Sequence, residues 1–164
     1  VDDEAALEEI IKKSSRRAAF HAEDEARLNA RKDLRVPGDP SSHPVWRDEE
    51  AAMIATKQLV GLAEKHRKRV HVLHISTAAE MEYLAHHKEW ASVEVTPHHL
   101  TLVAPECYER LGSYCQMNPP VRDAKNQAGI WAGLANGTVD VLGSDHAPHT
   151  REERSTPILS PIPA

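Results

Sequence analysis

The chain has 164 residues, a net charge of −5, 40% hydrophobic and 27% charged side chains, an ordinary globular balance with enough length to bury a real core. Twenty basic residues against 25 acidic ones leave no basic stripe to displace counterions from phosphates, which argues against a nucleic-acid partner. The longest uncharged apolar runs are only a few residues, so no transmembrane helix or other membrane association is expected.

In chain order, the first expected helix follows Asp2 and Asp3. It carries Ala6, Leu7, Ile10 and Ile11 and closes on Lys12 and Lys13, charges that complement the helix dipole. Residues 17–21 (RAAFH) form the first and weakest strand candidate. Residues 23–45, containing VPGDPSSHP, read as a long connection. A long helix over 47–66 carries Ala51, Ala52, Ala55, Leu59, Leu62 and Ala63 on one apolar stripe. Residues 70–75 (VHVLHI) are the second strand, 79–87 a shorter helix with Met81, Leu84 and Ala85 inward, and 92–96 (SVEVT) the third strand. A second long connection spans 97–122. A helix capped by Asp123 then runs to Ala135, with Ile130 and Leu134 inward and Gly137 at its end, before the fourth strand at 139–144 (VDVLGS).

Strands alternating with helices imply an α/β fold with a parallel sheet and right-handed crossovers. Short Val-, Leu- and Ile-rich strands are those expected to be covered on both faces. Long connections in such folds usually carry function. Two cysteines, Cys107 and Cys115, in no CxxC pair, fit a reducing, cytoplasmic setting, and neither has a base beside it in sequence to make it a nucleophile.

Histidine is unusually abundant, at 11 residues. Three strands end in a side chain able to bind metal or move a proton: His21, followed by Glu23 and Asp24; His74, followed by Ser76 and Thr77; and Asp145, followed by His146 and His149. In parallel α/β architectures the C-terminal strand ends converge on one face, where active sites form. Two neutral imidazoles and a carboxylate from a third strand make a reasonable zinc set. Each residue also has a plainer reading. His21 reads as a hydrogen-bonded strand-end histidine, His74 as a paired core histidine, and Asp145 as a turn cap. His66, His71, His86 and His87 read as surface or packing residues, and at most one of His98 and His99 can face the site.

Taken in order, HAED at His21 to Asp24, HIST at His74 to Thr77, EVTPHHL at Glu94 to Leu100, MNPPVR at Met117 to Arg122 and SDHAPHT at Ser144 to Thr150 resemble dihydroorotase and, more broadly, the metal-dependent amidohydrolases. The resemblance covers residues 17–153 and implies a partial (β/α)8 TIM barrel, its second half, strands five to eight. A whole barrel needs about 250 residues. Residues 1–153 would be that partial domain and 154–164 a truncated Pro-rich tail.

The implied reaction interconverts dihydroorotate and N-carbamoyl-L-aspartate in pyrimidine biosynthesis, with a binuclear zinc centre in the full-length enzyme. His21 and His74 match the histidines of one metal. Asp145 matches the aspartate that binds the other and acts as general acid/base. His149 matches the residue that binds the substrate carboxylate, and Asn118 one that contacts the ring. The family's HxH motif, the Arg after it and the bridging Lys or Asp are absent from this sequence. By itself the chain is therefore expected to be inactive, and to need the N-terminal half of the barrel or an oligomer of its own copies to cover open edges. Two alternatives stand beside this: a non-catalytic dihydroorotase-like scaffold for another pyrimidine enzyme, and a hydantoinase-like amidase.

Overall fold

The computed structural model of the protein describes residues 3–150. The element order is α1 (Glu4–Lys13), β1 (Ala19–Phe20), α2 (Glu25–Ala30), α3 (His43–Trp46), α4 (Glu49–Lys65), β2 (Val70–Val72), α5 (Ala78–Ala85), β3 (Ala91–Val95), α6 (Pro97–Thr101), α7 (Glu106–Leu111), α8 (Ala124–Ala135) and β4 (Val141–Leu142), with short 3-10 turns between. The strands form one parallel sheet in the order β1-β2-β3-β4, as the alternating pattern predicts. The expected tail at 154–164 lies outside the described residues.

Side-chain oxygens start the helices where the sequence places them. Asp3 accepts from Ala5 and Ala6 N–H, Asp48 from Ala51, Thr77 from Glu80 and Asp123 from Asn126. The Thr77 hydroxyl also donates to the Glu80 carboxylate at 2.8 Å, so cap and third helical residue are bonded in both directions. Glu80 itself is buried and accepts a second hydrogen bond from Thr56 on α4, 2.9 Å away, and burial raises its carboxyl pKa. The left-handed conformation of Arg67, φ 52°, stops α4 in the ordinary way for a residue just past a helix end.

Register gives the two faces of the sheet opposite character. Phe20, Val72 and Val93 are in line and join Val70 and Val95 in the core with Leu7 and Ile11 of α1, Leu59 and Val60 of α4, Met81 and Leu84 of α5 and Ile130 of α8. Ala19, His71 and Ser92 align on the other face. There Arg17 donates to Ser92 Oγ at 3.1 Å, His71 Nδ1 lies 2.8 Å from the same oxygen, and His71 Nε2 lies 3.4 Å from the Glu94 carboxylate. The expectation of apolar cover on both faces is therefore corrected: helices seal one face, and the other carries a polar row. The fourth strand departs in the same sense, with Val141 and Leu142 42% and 62% exposed at the sheet edge.

The two long connections are not loops. The first folds into α2, α3 and 3-10 turns. The second folds into α6, α7 and a small core of its own, Cys107, Tyr108, Cys115 and Val121. Among the described residues, no helix is long and apolar enough to cross a membrane.

Candidate active site at the C-terminal strand ends

Of the three predicted ligands, the structure brings two together. His21 leaves the end of β1 and His74 follows β2 by two residues. Their rings meet edge to face, centroids 4.9 Å apart, with His21 Nδ1 3.2 Å from His74 Nε2. Two nitrogens on one tetrahedral zinc, each bound at about 2.0–2.1 Å, lie roughly 3.3–3.4 Å apart. The pair thus has the spacing of two ligands of a single ion, and a neutral imidazole pair is a suitable donor set.

Backbone strain makes the meeting possible. Strict alternation from Val72 would send His74 to the helix-facing side; a positive φ of 38° turns it out of that alternation. Asp145 likewise has φ 47°. Left-handed backbone at non-glycine residues is uncommon and tends to persist where a site over-determines it. Here it falls on two of the three predicted ligands.

Asp145 is exposed, beyond β4, and its charge acts on the His74 ring. No group of three His, Cys, Asp or Glu side chains with metal-binding spacing forms among the described residues. His74 is 4% exposed, and burial, with the neighbouring His21, lowers its pKa, which keeps the ring neutral. Its Nδ1 is buried without a hydrogen-bond partner among the described residues.

Behind His21 stands Glu23, to which the motif alone assigns no role. The Glu23 carboxylate has no exposed surface, lies 3.0 Å from His21 Nε2, and is ion-paired with the Arg47 guanidinium. Burial alone would raise the Glu23 carboxyl, but the hydrogen bonds from His21 and Arg47 outweigh it and hold the group at about 2. Arg47 is anchored in turn, since buried Arg122 donates to its carbonyl, to the Asp48 carbonyl at 3.3 Å and to Ser76 Oγ at 3.4 Å. These partners lie 24 to 75 residues apart, and only HAED and MNPPVR hinted at them.

Asn118 sits in a clamped segment. His43 Nε2 donates to the Met117 carbonyl and His99 Nε2 to the Pro119 carbonyl, each at 3.0 Å, while Tyr108 OH donates to Val121. Asn118 Oδ1 is buried and has no hydrogen-bond partner among the described residues. Of the neighbouring pair, His99 is the inward one and His98 is exposed. His149 is half-buried near the end of the described chain. His66 pairs with Glu8, His87 stacks on Tyr83, and His86 is exposed, as surface and packing residues should be. His71, by contrast, belongs to the polar sheet face.

Burial pushes His43 down to about 4 and His99 to about 3, against the opposing pull of their carbonyl partners. An unfolded histidine takes its proton near pH 6.5. As pH falls below about 6.5 the unfolded state therefore binds these protons first. Stability should drop by about 1.4 kcal/mol per pH unit for each histidine until the folded-state values are passed. Urea midpoints between about pH 7 and pH 5 should show this loss. The double variant His43→Asn, His99→Gln should give a flatter profile, and equal slopes would remove these two residues as the cause.

The sequence relatives fit this geometry. Dihydroorotases from Halobacterium salinarum and Methanosarcina acetivorans are 32% and 36% identical, each over 94% of this chain, and one from Pelotomaculum thermopropionicum is 41% identical over 64% of it. The chain is a dihydroorotase relative. It spans about a third of those proteins or less: 34%, 35% and 25% of their lengths. Among solved structures, an L-hydantoinase from Arthrobacter aurescens superposes with a TM-score of 0.87 at 26% identity, covering 93% of this chain and 36% of that one. A dihydropyrimidinase from Brevibacillus agri gives 0.83 at 28%, covering 91% and 35%. No family model matches. The parallel α/β sheet of this dihydroorotase-like chain is thus consistent with part of an amidohydrolase barrel.

Proposed function

We propose that the chain supplies strands five to eight of a (β/α)8 barrel and, with them, half of a dihydroorotase-type site that interconverts dihydroorotate and N-carbamoyl-L-aspartate. The observation that carries this is the His21–His74 nitrogen pair, 3.2 Å apart at the ends of adjacent parallel strands. In this reading His21 Nδ1 and His74 Nε2 hold one zinc, Asp145 ligates a second, and the remaining ligands come from barrel strands outside this chain. Bound zinc supplies Lewis acidity toward the amide carbonyl and makes water acidic enough to attack at neutral pH.

The chain's own residues do the rest. Asp145 takes the proton of the attacking water and returns it to the leaving ring nitrogen. Its exposure leaves it open to substrate. His149 binds the substrate carboxylate. Asn118, whose oxygen has no hydrogen-bond partner among the described residues, accepts a hydrogen bond from a ring N–H. The clamps from His43 and His99 hold that oxygen in place before substrate arrives.

The test is zinc-supplemented cyclisation of N-carbamoyl-aspartate by the chain, with and without a separately expressed N-terminal barrel half. Activity only on mixing is expected. Associated halves with no activity would overturn the catalytic reading in favour of a scaffold. His149→Ala in the mixed enzyme should raise KM for dihydroorotate by about tenfold or more, and an unchanged KM would remove His149 from the site. The likeness to hydantoinase and dihydropyrimidinase structures supports a second substrate reading. Faster turnover of hydantoin or dihydrouracil than of dihydroorotate would establish it.

A further inference from the structure

Neutral imidazole has one N–H and one bare nitrogen, and only the bare one can ligate a metal. Which nitrogen of His21 is bare is therefore a question about its other hydrogen bond. Its Nε2 lies 3.0 Å from Glu23 Oε2. That carboxylate is fully buried and shares both oxygens with the Arg47 guanidinium, so it is ionised and can only accept. The proton therefore resides on His21 Nε2. Nδ1 is left bare, and it is Nδ1 that faces His74.

We propose that Glu23, braced by Arg47, is a positioning residue that locks His21 in its Nε2–H tautomer and so presents Nδ1 to the metal. This rests on the zinc reading of the site.

His74 has no such brace. Its Nδ1 is buried without a hydrogen-bond partner among the described residues, so no carboxylate holds a proton on either nitrogen. Without metal, His74 Nε2–H donates to His21 Nδ1 across the 3.2 Å gap. To ligate through Nε2, His74 must give up that proton or carry it on Nδ1 instead, whereas His21 changes nothing. The two ligands thus divide the work: one is preset and the other adapts.

Arg47 keeps the brace in place. Its guanidinium neutralises a carboxylate that would otherwise be costly to bury, and its carbonyl is tied through Arg122 to the segment holding Asn118. The chain of contacts runs from Arg122 to Arg47, Glu23 and His21. The metal ligand and the substrate-facing segment are therefore registered to one another by hydrogen bonds.

The experiment uses the full chain, uniformly labelled with nitrogen-15, alone and mixed with the unlabelled N-terminal half, at mildly alkaline pH. Imidazole nitrogen shifts report the tautomer directly and need no metal. His21 should be the Nε2–H form both without zinc and with it, while the His74 nitrogens should change on zinc addition. A His21 found as the Nδ1–H form or as imidazolium overturns the lock, whatever the metal does. Zinc affinity of the chain mixed with the separately expressed N-terminal half, measured by competition with a chromophoric chelator, should weaken about 10–100-fold in Glu23→Gln. That single variant leaves the Arg47 charge buried and unpaired, which could by itself strain the fold. The double variant Glu23→Gln, Arg47→Met removes the facing charge and should show the same loss of affinity. Unchanged affinity in both overturns the role. Mixed, associated halves in which wild-type His21 has the Nε2–H tautomer but which bind no zinc instead overturn the metal reading, and this role with it.

Discussion

Asp145→Asn in the mixed, zinc-loaded enzyme is expected to lower kcat by about 10²–10⁴-fold, the range for loss of a general acid/base, with zinc still bound. The substitution isolates one property. Asn has the same shape and keeps an oxygen that can face a metal, but its amide cannot accept the proton of the attacking water. The backbone should not object, because φ at this position is 47°, a conformation that Asn adopts as readily as Asp. The side chain is exposed, so no packing is lost. Turnover and zinc content measured on the same sample check the assignment. Near-normal turnover would sink it; loss of zinc together with activity would make Asp145 a ligand first and a proton carrier second.

Gly129→Ala should destabilise the fold by about 3 kcal/mol, the upper end of what overpacking costs. Helix propensity alone predicts the opposite sign, a gain of roughly 1 kcal/mol for Ala over Gly inside a helix. Packing decides. A Cβ at Gly129 would lie 2.3 Å from Ala78 Cβ and 2.7 Å from Ala78 Cα. Ala78 opens α5 and has no flexible end to swing aside, so the two helices would have to separate. One turn on, a Cβ at Gly133 would meet the Met81 thioether at 2.3 Å, but that side chain is long and can move. Gly133→Ala should accordingly cost less than Gly129→Ala. Urea midpoints at constant m-value check both, and a stabilised Gly129→Ala would mean that α5 and α8 are not in close contact in solution.

Much of the fold is legible because burial leaves periodic traces. The α4 stripe, the Asp123 cap and the runs at β2 and β3 are local patterns, and the structure has all of them. The residues at strand ends are legible as candidates for the same reason, since topology brings such ends together. The brace and clamps are not. Glu23 and Arg47 are 24 residues apart and His43 and Met117 are 74 apart, and a single long-range hydrogen bond imposes no periodicity. Nor can composition show that His74 has a left-handed backbone, which is what turns its ring toward His21. The polar sheet face escapes notice because His71, Ser92 and Glu94 sit among valines. Frequency suggests an apolar strand where alternation has to be weighed residue by residue.

That alternation has a consequence for how such a chain can change over time. On each central strand, odd and even positions answer to different demands: Val70, Val72, Val93 and Val95 to cohesion with the helices, His71, Ser92 and Glu94 to whatever lies against the polar face of the sheet. Point substitutions can therefore rewrite the lining while the helix-packed layer is left intact. A single-residue insertion or deletion within either strand has no such freedom. It exchanges the two sets at a stroke, driving an imidazole (β2) or a hydroxyl and a carboxylate (β3) into the core and turning valines to the polar face. Lineages of this fold should tolerate wide variation in the lining residues and almost no change in the length of these two strands.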